Sequence, residues 1–299
     1  MSNKIILGDW GTSSCRLYLY DLQRGESLDM VVLPGIKFVE SIQEAFLKAT
    51  KPWLNTHNVR DAVLCGMVGS NIGWVNAGYA QCPATFTELD DLLKPIQTPD
   101  CDIKIIPGVQ TSRNIIGLPD VMRGEETQII GWARTTSRQG FVCLPGTHTK
   151  WATVMSDSIS NFSTSVNGEL FDVIRKHSVL VGATDTKPTI GDEYRRGLDV
   201  AASGAPLTQT LMSVRANQII GTYDAVQSQS YLLGLLIGSD VLASLPQAEG
   251  VPITVIGGEA PAQFYASAIQ YFGGQADIFD GQAASLAGLK HFAERVISA

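Results

Sequence analysis

Twice in this chain an apolar strand runs into a turn of glycine and hydroxyl residues and returns as a second strand, at residues 5–20 and again at 141–155. In the first, Ile5-Ile6-Leu7 leads into Asp9-Trp10-Gly11-Thr12-Ser13-Ser14. Leu17 and Leu19 then alternate with more polar neighbours, which predicts a β-hairpin rather than the start of a helix. In the second, Phe141-Val142-Cys143-Leu144 is followed by Pro145-Gly146-Thr147-His148-Thr149-Lys150 and by Trp151–Met155. The two stretches agree in pattern and not in identity, the signature of a repeated structural unit.

Turns of this composition suit oxyanions. Gly11 permits close approach of a ligand, and Thr12, Ser13 and Ser14 supply hydroxyl and backbone donors that can converge on phosphate oxygens. Asp9, at the end of the first strand, is placed for Mg²⁺, usually through water. Gly146, Thr147 and Thr149 repeat the donor set, with Lys150 adding a charge. His148 shapes its loop rather than binding metal, because no second His, Cys or carboxylate stands at ligand spacing.

Three further stretches punctuate the chain. A short buried strand at Ala62–Cys65 runs into Gly66-Met67-Val68-Gly69-Ser70-Asn71-Ile72-Gly73-Trp74, the position where open α/β sheets bind ligands. Asn71 and Trp74 there either meet a polyhydroxylated substrate or belong to a structural loop with a core Trp. Gly124 marks a helix start that puts Glu125 and Glu126 in its first turn. Such carboxylates either complement the helix dipole on the surface, the ordinary role on spacing alone, or serve as a general base. A strand at Val251–Ile256 ends in Gly257-Gly258-Glu259, where two glycines before a helix let a flat or anionic ligand reach the backbone and Glu259 can bond a ribose or base edge.

Elsewhere the pattern predicts a strand at Asp29–Leu33 and a helix capped by Ser41 that Pro52 kinks or ends. Residues 81–110 read as a loop-rich edge with one strand at Ile103–Ile106. Residues 170–245 read as mostly helical, with Arg195, Arg196 and Arg215 on solvated faces. Cys15, Cys65, Cys82, Cys101 and Cys143 are scattered and odd in number, so they read as reduced, mostly core thiols. With 22 basic against 29 acidic residues and no basic stripe, a nucleic-acid partner is not expected. Neither is a membrane partner, since Asp9 interrupts the first apolar run and Tyr231–Ile237 is too short to span. The expectation is a cytoplasmic protein with a small-molecule partner and a homodimer as a possible assembly.

The run Asp9-X-Gly11-Thr12-Ser13-Ser14-X-Arg16 resembles the first phosphate loop of the sugar kinase, Hsp70 and actin superfamily. The order of all five stretches resembles its duplicated ribonuclease-H-like α/β fold over essentially the whole chain. That resemblance implies two lobes, expected here at 1–117 and 118–299 with the last helix packing back on the first, separated by a cleft that holds ATP and Mg²⁺. At finer grain four motifs are similar to the 2-dehydro-3-deoxygalactonokinase family: Gly-Asp-Trp-Gly-Thr-Ser-Ser at 8–14, Cys-Gly-Met-Val-Gly-Ser-Asn-Ile-Gly-Trp at 65–74, Met-Arg-Gly-Glu-Glu-Thr-Gln at 122–128, and Leu-Pro-Gly-Thr-His-Thr-Lys-Trp at 144–151.

The family resemblance implies ATP-dependent phosphorylation of 2-dehydro-3-deoxy-D-galactonate at its 6-hydroxyl. Gly11, Thr12, Ser13, Ser14, Arg16, Gly146, Thr147, His148, Thr149, Lys150, Gly257, Gly258 and Glu259 would then hold the nucleotide, and Asp9 its metal. Met67, Ser70, Asn71, Trp74 and Arg123 would meet the sugar acid, Arg123 through its carboxylate. The chain departs from the wider superfamily at Cys143-Leu144-Pro145, where an Asp usually precedes the second phosphate loop. The base must therefore come from elsewhere. Gly124-Glu125-Glu126-Thr127 stands where exopolyphosphatases of the same superfamily carry a Gly-X-Glu-Glu-Ala helix start, which favours Glu125 with Glu126 as runner-up. The alternatives are an Hsp70- or actin-like binding protein, for which the length leaves no peptide-binding domain or filament insertion, and an exopolyphosphatase-like phosphohydrolase.

Overall fold

A computed structural model describes residues 3–136, 139–182 and 184–298. Its strands are β1 (Lys4–Trp10), β2 (Ser14–Asp21), β3 (Glu26–Pro34), β4 (Asp61–Cys65), β5 (Tyr79–Gln81), β6 (Ala84–Thr85), β7 (Lys94–Gln97), β8 (Asp102–Ile105), β9 (Gly108–Thr111), β10 (Asp120–Met122), β11 (Gly140–Leu144), β12 (Thr149–Met155), β13 (Ser158–Ser165), β14 (Ile253–Gly257) and β15 (Ala276–Asp280). The helices are α1 (Ile42–His57), α2 (Phe86–Asp91), α3 (Glu125–Thr136), α4 (Asn167–His177), α5 (Asp192–Ala202), α6 (Leu207–Ile219), α7 (Ala225–Ser244), α8 (Glu259–Tyr271) and α9 (Gly281–Ser298).

The two predicted hairpins head two sheets of the same design. In one the order is β3-β2-β1-β4-β8, extended by β7 beside β8, and in the other β13-β12-β11-β14-β15, extended by β6 beside β13. β1 pairs antiparallel with β2 and parallel with β4, and β4 runs parallel to β8. β11 likewise runs parallel to β14, and β14 to β15. Each parallel step needs a crossover, supplied by α1 and then by the segment that carries α2 in the first sheet, and by α4–α8 in the second. β1 lies mid-sheet, so Ile5, Ile6 and Leu7 are all buried in an unbroken apolar run.

The chain divides into two compact units, residues 1–139, 152–163 and 281–299 in one and 140–151 and 164–280 in the other. The division at 117/118 falls inside the first unit. The cause is α3, which packs on α9, itself lying on β1 and β4. The crossing is tight: a methyl at Gly131 would stand 1.9 Å from the Ala284 carbonyl oxygen, and one at Gly288 2.0 Å from that of Thr127. One core gathers around Trp10, Phe46 and Leu64, and a second around Trp151, Tyr194 and Val255.

Local expectations hold with two exceptions. Ser41 caps α1 by accepting from the Glu44 amide at 3.2 Å, yet the helix continues through Pro52 to His57. Pro52 lies on the exposed face, where the carbonyl it leaves unpaired can meet water. Residues 81–110 are not a loop with one strand; they hold β6, α2, β7, β8 and most of β9. α2 is capped by Thr85 and buries Phe86 and Leu89, while Pro95 sits in edge strand β7, which can spare an amide. α7 is a core helix that packs on α5, with Tyr231, Leu232, Leu235 and Leu236 buried.

Candidate active site

The first hairpin turn is fixed from behind. The Gly11 amide donates to the Ser14 carbonyl at 2.9 Å, and the carbonyls of Gly11 and Thr12 accept from the amides of Ile36 and Lys37 at 3.1 and 3.3 Å. With these carbonyls tied inward, Thr12, Ser13, Ser14 and Arg16 are exposed. Gly35 lies against the back of the loop, where a Cβ would be 2.2 Å from the Thr12 oxygen.

Asp9, at the end of β1, pairs across the strands with Arg16 on one side and Cys65 on the other. Its Oδ2 accepts from the Ser285 hydroxyl of α9 at 2.9 Å. Burial holds its pKa above the usual carboxylate range; the Ser285 bond and Arg16 oppose the shift, and the nearby charge of Glu125 adds to it. Gly66 and Gly124 make this proximity possible. Both have positive φ, and a Cβ at Gly124 would lie 3.4 Å from the Gly66 Cα, so the α3 start sits directly on the turn after β4.

The two glutamates fold back on the start of α3 differently. The Arg123 amide donates to Glu125 Oε2 at 3.1 Å, and Glu125 is half-buried. Glu126 is fully buried and accepts from the Gly124 amide at 2.7 Å and the Thr127 hydroxyl at 3.1 Å. Burial, with the Glu125 charge beside it, pushes the Glu126 pKa up to about 8. Burial thus favours the protonated form of Glu126 at neutral pH.

Around the β4 turn, Ser70 is buried with its hydroxyl on the Met67 carbonyl at 2.8 Å, and Met67 packs against the first core. Trp74 is half-buried against Phe46, ring centroids 5.6 Å apart, so its indole is chiefly a wall of that core. Asn71 is exposed. The Arg123 guanidinium lies over the Tyr79 ring at 4.4 Å and donates through Nη2 to the Gly78 carbonyl at 2.8 Å. Its Nε and Nη1 are buried and, among the described residues, without a hydrogen-bond partner.

In the second unit, Gly146, Thr147 and His148 are exposed. The Thr147 carbonyl accepts from the Glu169 amide at 2.9 Å, and His148 Nε2 meets Glu169 Oε2 at 2.5 Å. Thr149 and Lys150 point the other way. Thr149 is buried with its hydroxyl 2.9 Å from that of Tyr265, and the buried Lys150 donates to the His148 carbonyl at 3.0 Å. Both side chains therefore brace the loop instead of lining its outer face. Gly257 abuts Pro145, bringing the exposed Gly258 and Glu259 at the α8 start next to this loop.

Sequence reasoning missed the supports of both loops. Ser285, in the small-residue run of α9, gives no local sign of its bond to Asp9. Asp240 on α7 is equally silent, yet it accepts from Trp151 Nε1 at 3.1 Å, from Ser165 at 2.8 Å and from Tyr265 at 2.9 Å. Among the described residues no group of three or more His, Cys, Asp or Glu is arranged to hold a metal ion. Asp9 nevertheless offers hard oxygen donors, which suit Mg²⁺ when water and phosphate complete its shell.

Two sheets that share a five-strand order, each headed by a glycine and hydroxyl hairpin, define the duplicated ribonuclease-H-like fold of the sugar kinase and actin-like ATPase class. Residues 9–292 match the family described as 2-keto-3-deoxy-galactonokinase, and the chain belongs to that family. It is 33% identical over 302 residues to the Rhizobium meliloti (strain 1021) "Probable 2-dehydro-3-deoxygalactonokinase DgoK1", covering 96% of each chain. It is 31% identical to the Escherichia coli (strain K12) 2-dehydro-3-deoxygalactonokinase, covering 99% of each. A Sinorhizobium meliloti crystal structure solved under the same kinase name superposes with a TM-score of 0.87 at 31% identity, over 98% of this chain and 99% of that one.

Proposed function

We propose that the protein is an ATP-dependent kinase that transfers the γ-phosphoryl group to the 6-hydroxyl of 2-dehydro-3-deoxy-D-galactonate. The observation that carries the mechanism is the seating of the α3 start on the turn after β4, a Cβ at Gly124 lying 3.4 Å from the Gly66 Cα, which brings the Glu125 charge near Asp9. Phosphoryl transfer asks the protein to place the phosphates, neutralise their charge and take a proton from the acceptor. Gly11–Ser14 and Arg16 serve the first task in the first unit, and Gly146, Thr147 and His148 form the matching loop of the second. Thr149 and Lys150 hold the second loop in shape. Gly257, Gly258 and Glu259 meet the nucleoside.

Mg²⁺, when bound, would neutralise phosphate charge, with Asp9 holding it and Ser285 holding Asp9. Glu125 takes the proton of the acceptor hydroxyl, a role that fits the less buried of the two glutamates. Glu126, neutral and bonded to the Gly124 amide, keeps the helix start in place. Asn71 offers its exposed amide to the sugar hydroxyls, with Met67, Ser70 and Trp74 shaping that loop. The unpartnered guanidinium nitrogens of Arg123 support its pairing with the acid's carboxylate.

A coupled assay over a panel of 2-dehydro-3-deoxy sugar acids tests the reading. Turnover of ATP that requires the galactonate acid, with a lower rate for its gluconate epimer, is expected. ATP consumption independent of any acid would overturn it.

A further inference from the structure

Side chains alternate across a strand, and the alternation puts Asp9 and Cys65 on one face of the first sheet. Ile6 and Trp10 of β1 and Ala62 and Leu64 of β4 belong to the first apolar core, so Leu7, Asp9, Val63 and Cys65 face the opposite side, where α9 lies. β1 and β4 run parallel with Asp9 beside Cys65 in the register, which makes the two side chains neighbours at the strand ends. Cys65 is fully buried there.

The thiol donates a hydrogen bond to the Asp9 carboxylate. On its other side it is hydrogen-bonded to the Thr127 hydroxyl of α3. Thr127 is fixed in turn by the helix crossing, where a methyl at Gly288 of α9 would stand 2.0 Å from its carbonyl oxygen. Its hydroxyl also reaches Glu126 Oε1 at 3.1 Å. With Ser285 donating to Asp9 Oδ2 at 2.9 Å, a continuous line of polar groups runs from α3 through β4 and β1 to α9. The turn after β4 closes on the same carboxylate, since a Cβ at Gly66 would stand 3.4 Å from Asp9 Oδ1.

Outer-sphere hydrogen bonds orient the carboxylates that hold metal ions. We infer that Cys65 is a positioning residue for the metal: its thiol, backed by Thr127, holds the Asp9 carboxylate in the orientation that takes Mg²⁺. The inference rests on the reading of Asp9 as the residue that holds Mg²⁺ and adds a second support to Ser285. The ordinary role of a buried cysteine is that of a small apolar residue. The two roles order a pair of substitutions in opposite ways. Valine fills the space without a donor and suits a packing role, whereas serine keeps a donor and, in a packing role, buries a hydroxyl at a cost.

Cys65→Val and Cys65→Ser, compared with the wild type and Asp9→Asn, test this by two measurements. The first is the dissociation constant of Mn²⁺ from protein saturated with ADP, read from the electron paramagnetic resonance of free Mn²⁺. It should rise about tenfold in Cys65→Val, the low end of the range for losing an outer-sphere partner, and stay within about twofold in Cys65→Ser. The second needs no metal. The S–H stretch that disappears in Cys65→Ser should move to higher frequency in Asp9→Asn, as the bond to a charged acceptor is lost; it decides the matter should Cys65→Val not fold. Mn²⁺ affinity kept in Cys65→Val and lost in Cys65→Ser, or an S–H stretch that Asp9→Asn leaves in place, overturns the inference and leaves the metal reading intact. Unchanged Mn²⁺ affinity in Asp9→Asn overturns the metal reading and the inference together.

Discussion

Replacing Gly131 by Ala perturbs the crossing of α3, which carries Glu125, with α9, whose Ser285 holds Asp9. The added methyl would stand 1.9 Å from the Ala284 carbonyl oxygen and 2.5 Å from the Gly288 amide nitrogen, both backbone atoms that cannot rotate away. To reach ordinary contact, near 3.5 Å, α3 and α9 must part by more than about 1 Å. Overpacking of this kind costs up to about 3 kcal/mol, and the better helix propensity of Ala returns about 1, leaving a net loss of about 2 kcal/mol. The same displacement moves Glu125, on α3, away from Asp9, which Ser285 on α9 holds. A misplacement near 1 Å costs about 10²-fold in rate. Thermal melting and the coupled kinase assay on one preparation should show a lower Tm together with a kcat lower by about two orders of magnitude. Wild-type Tm and kcat in Gly131→Ala would refute the argument that this crossing sets the cluster's geometry.

Two further perturbations act on the same cluster. The Glu126 pKa is raised from 4.5 to about 8, so the folded state binds the extra proton between those values; this contribution to stability is fully present below about pH 4.5 and is lost as pH rises to about 8. Glu126→Gln should flatten that decline in urea midpoints measured at pH 5, 7 and 8.5, and an unchanged slope would show that Glu126 is ionised throughout. Ser285→Ala removes the donor to Asp9 Oδ2. It should raise the Mg²⁺ concentration needed for half-maximal activity severalfold and leave KM for the acid near its wild-type value, whereas equal effects on both would mark Ser285 as a general packing residue.

The parts legible in the sequence are those whose signal is local. Period-two runs around Gly11 and Gly146 announce the hairpins, and the glycine and glutamate run at 124–126 announces the start of α3. The matching order of the two sheets follows from the repeat. Elements of two to six residues between 79 and 111 are too short for periodicity to show, and their prolines read as loop. Side-chain direction was the other loss. Thr149 and Lys150 look like a continuation of the donor loop, yet β12 is buried on both faces from its first residue, so both turn inward. Contacts between distant positions leave no local trace. Ser285 reaches Asp9 across 276 positions, and Asp240 joins Trp151, Ser165 and Tyr265 from the middle of an apolar helix. Trp74, ambiguous between core and substrate wall, packs on Phe46 because α1 brings an aromatic ring beneath the β4 turn.

In the proposed mechanism Glu125, and not the buried Glu126, takes the proton of the acceptor hydroxyl. Single-turnover rates of Glu125→Gln and Glu126→Gln, with nucleotide affinity measured on the same samples, test it most directly. Loss of a general base costs about 10²- to 10⁴-fold. That loss is expected in Glu125→Gln with nucleotide affinity retained, and a much smaller loss in Glu126→Gln. The reverse ordering, or a near-wild-type rate in Glu125→Gln, would contradict it.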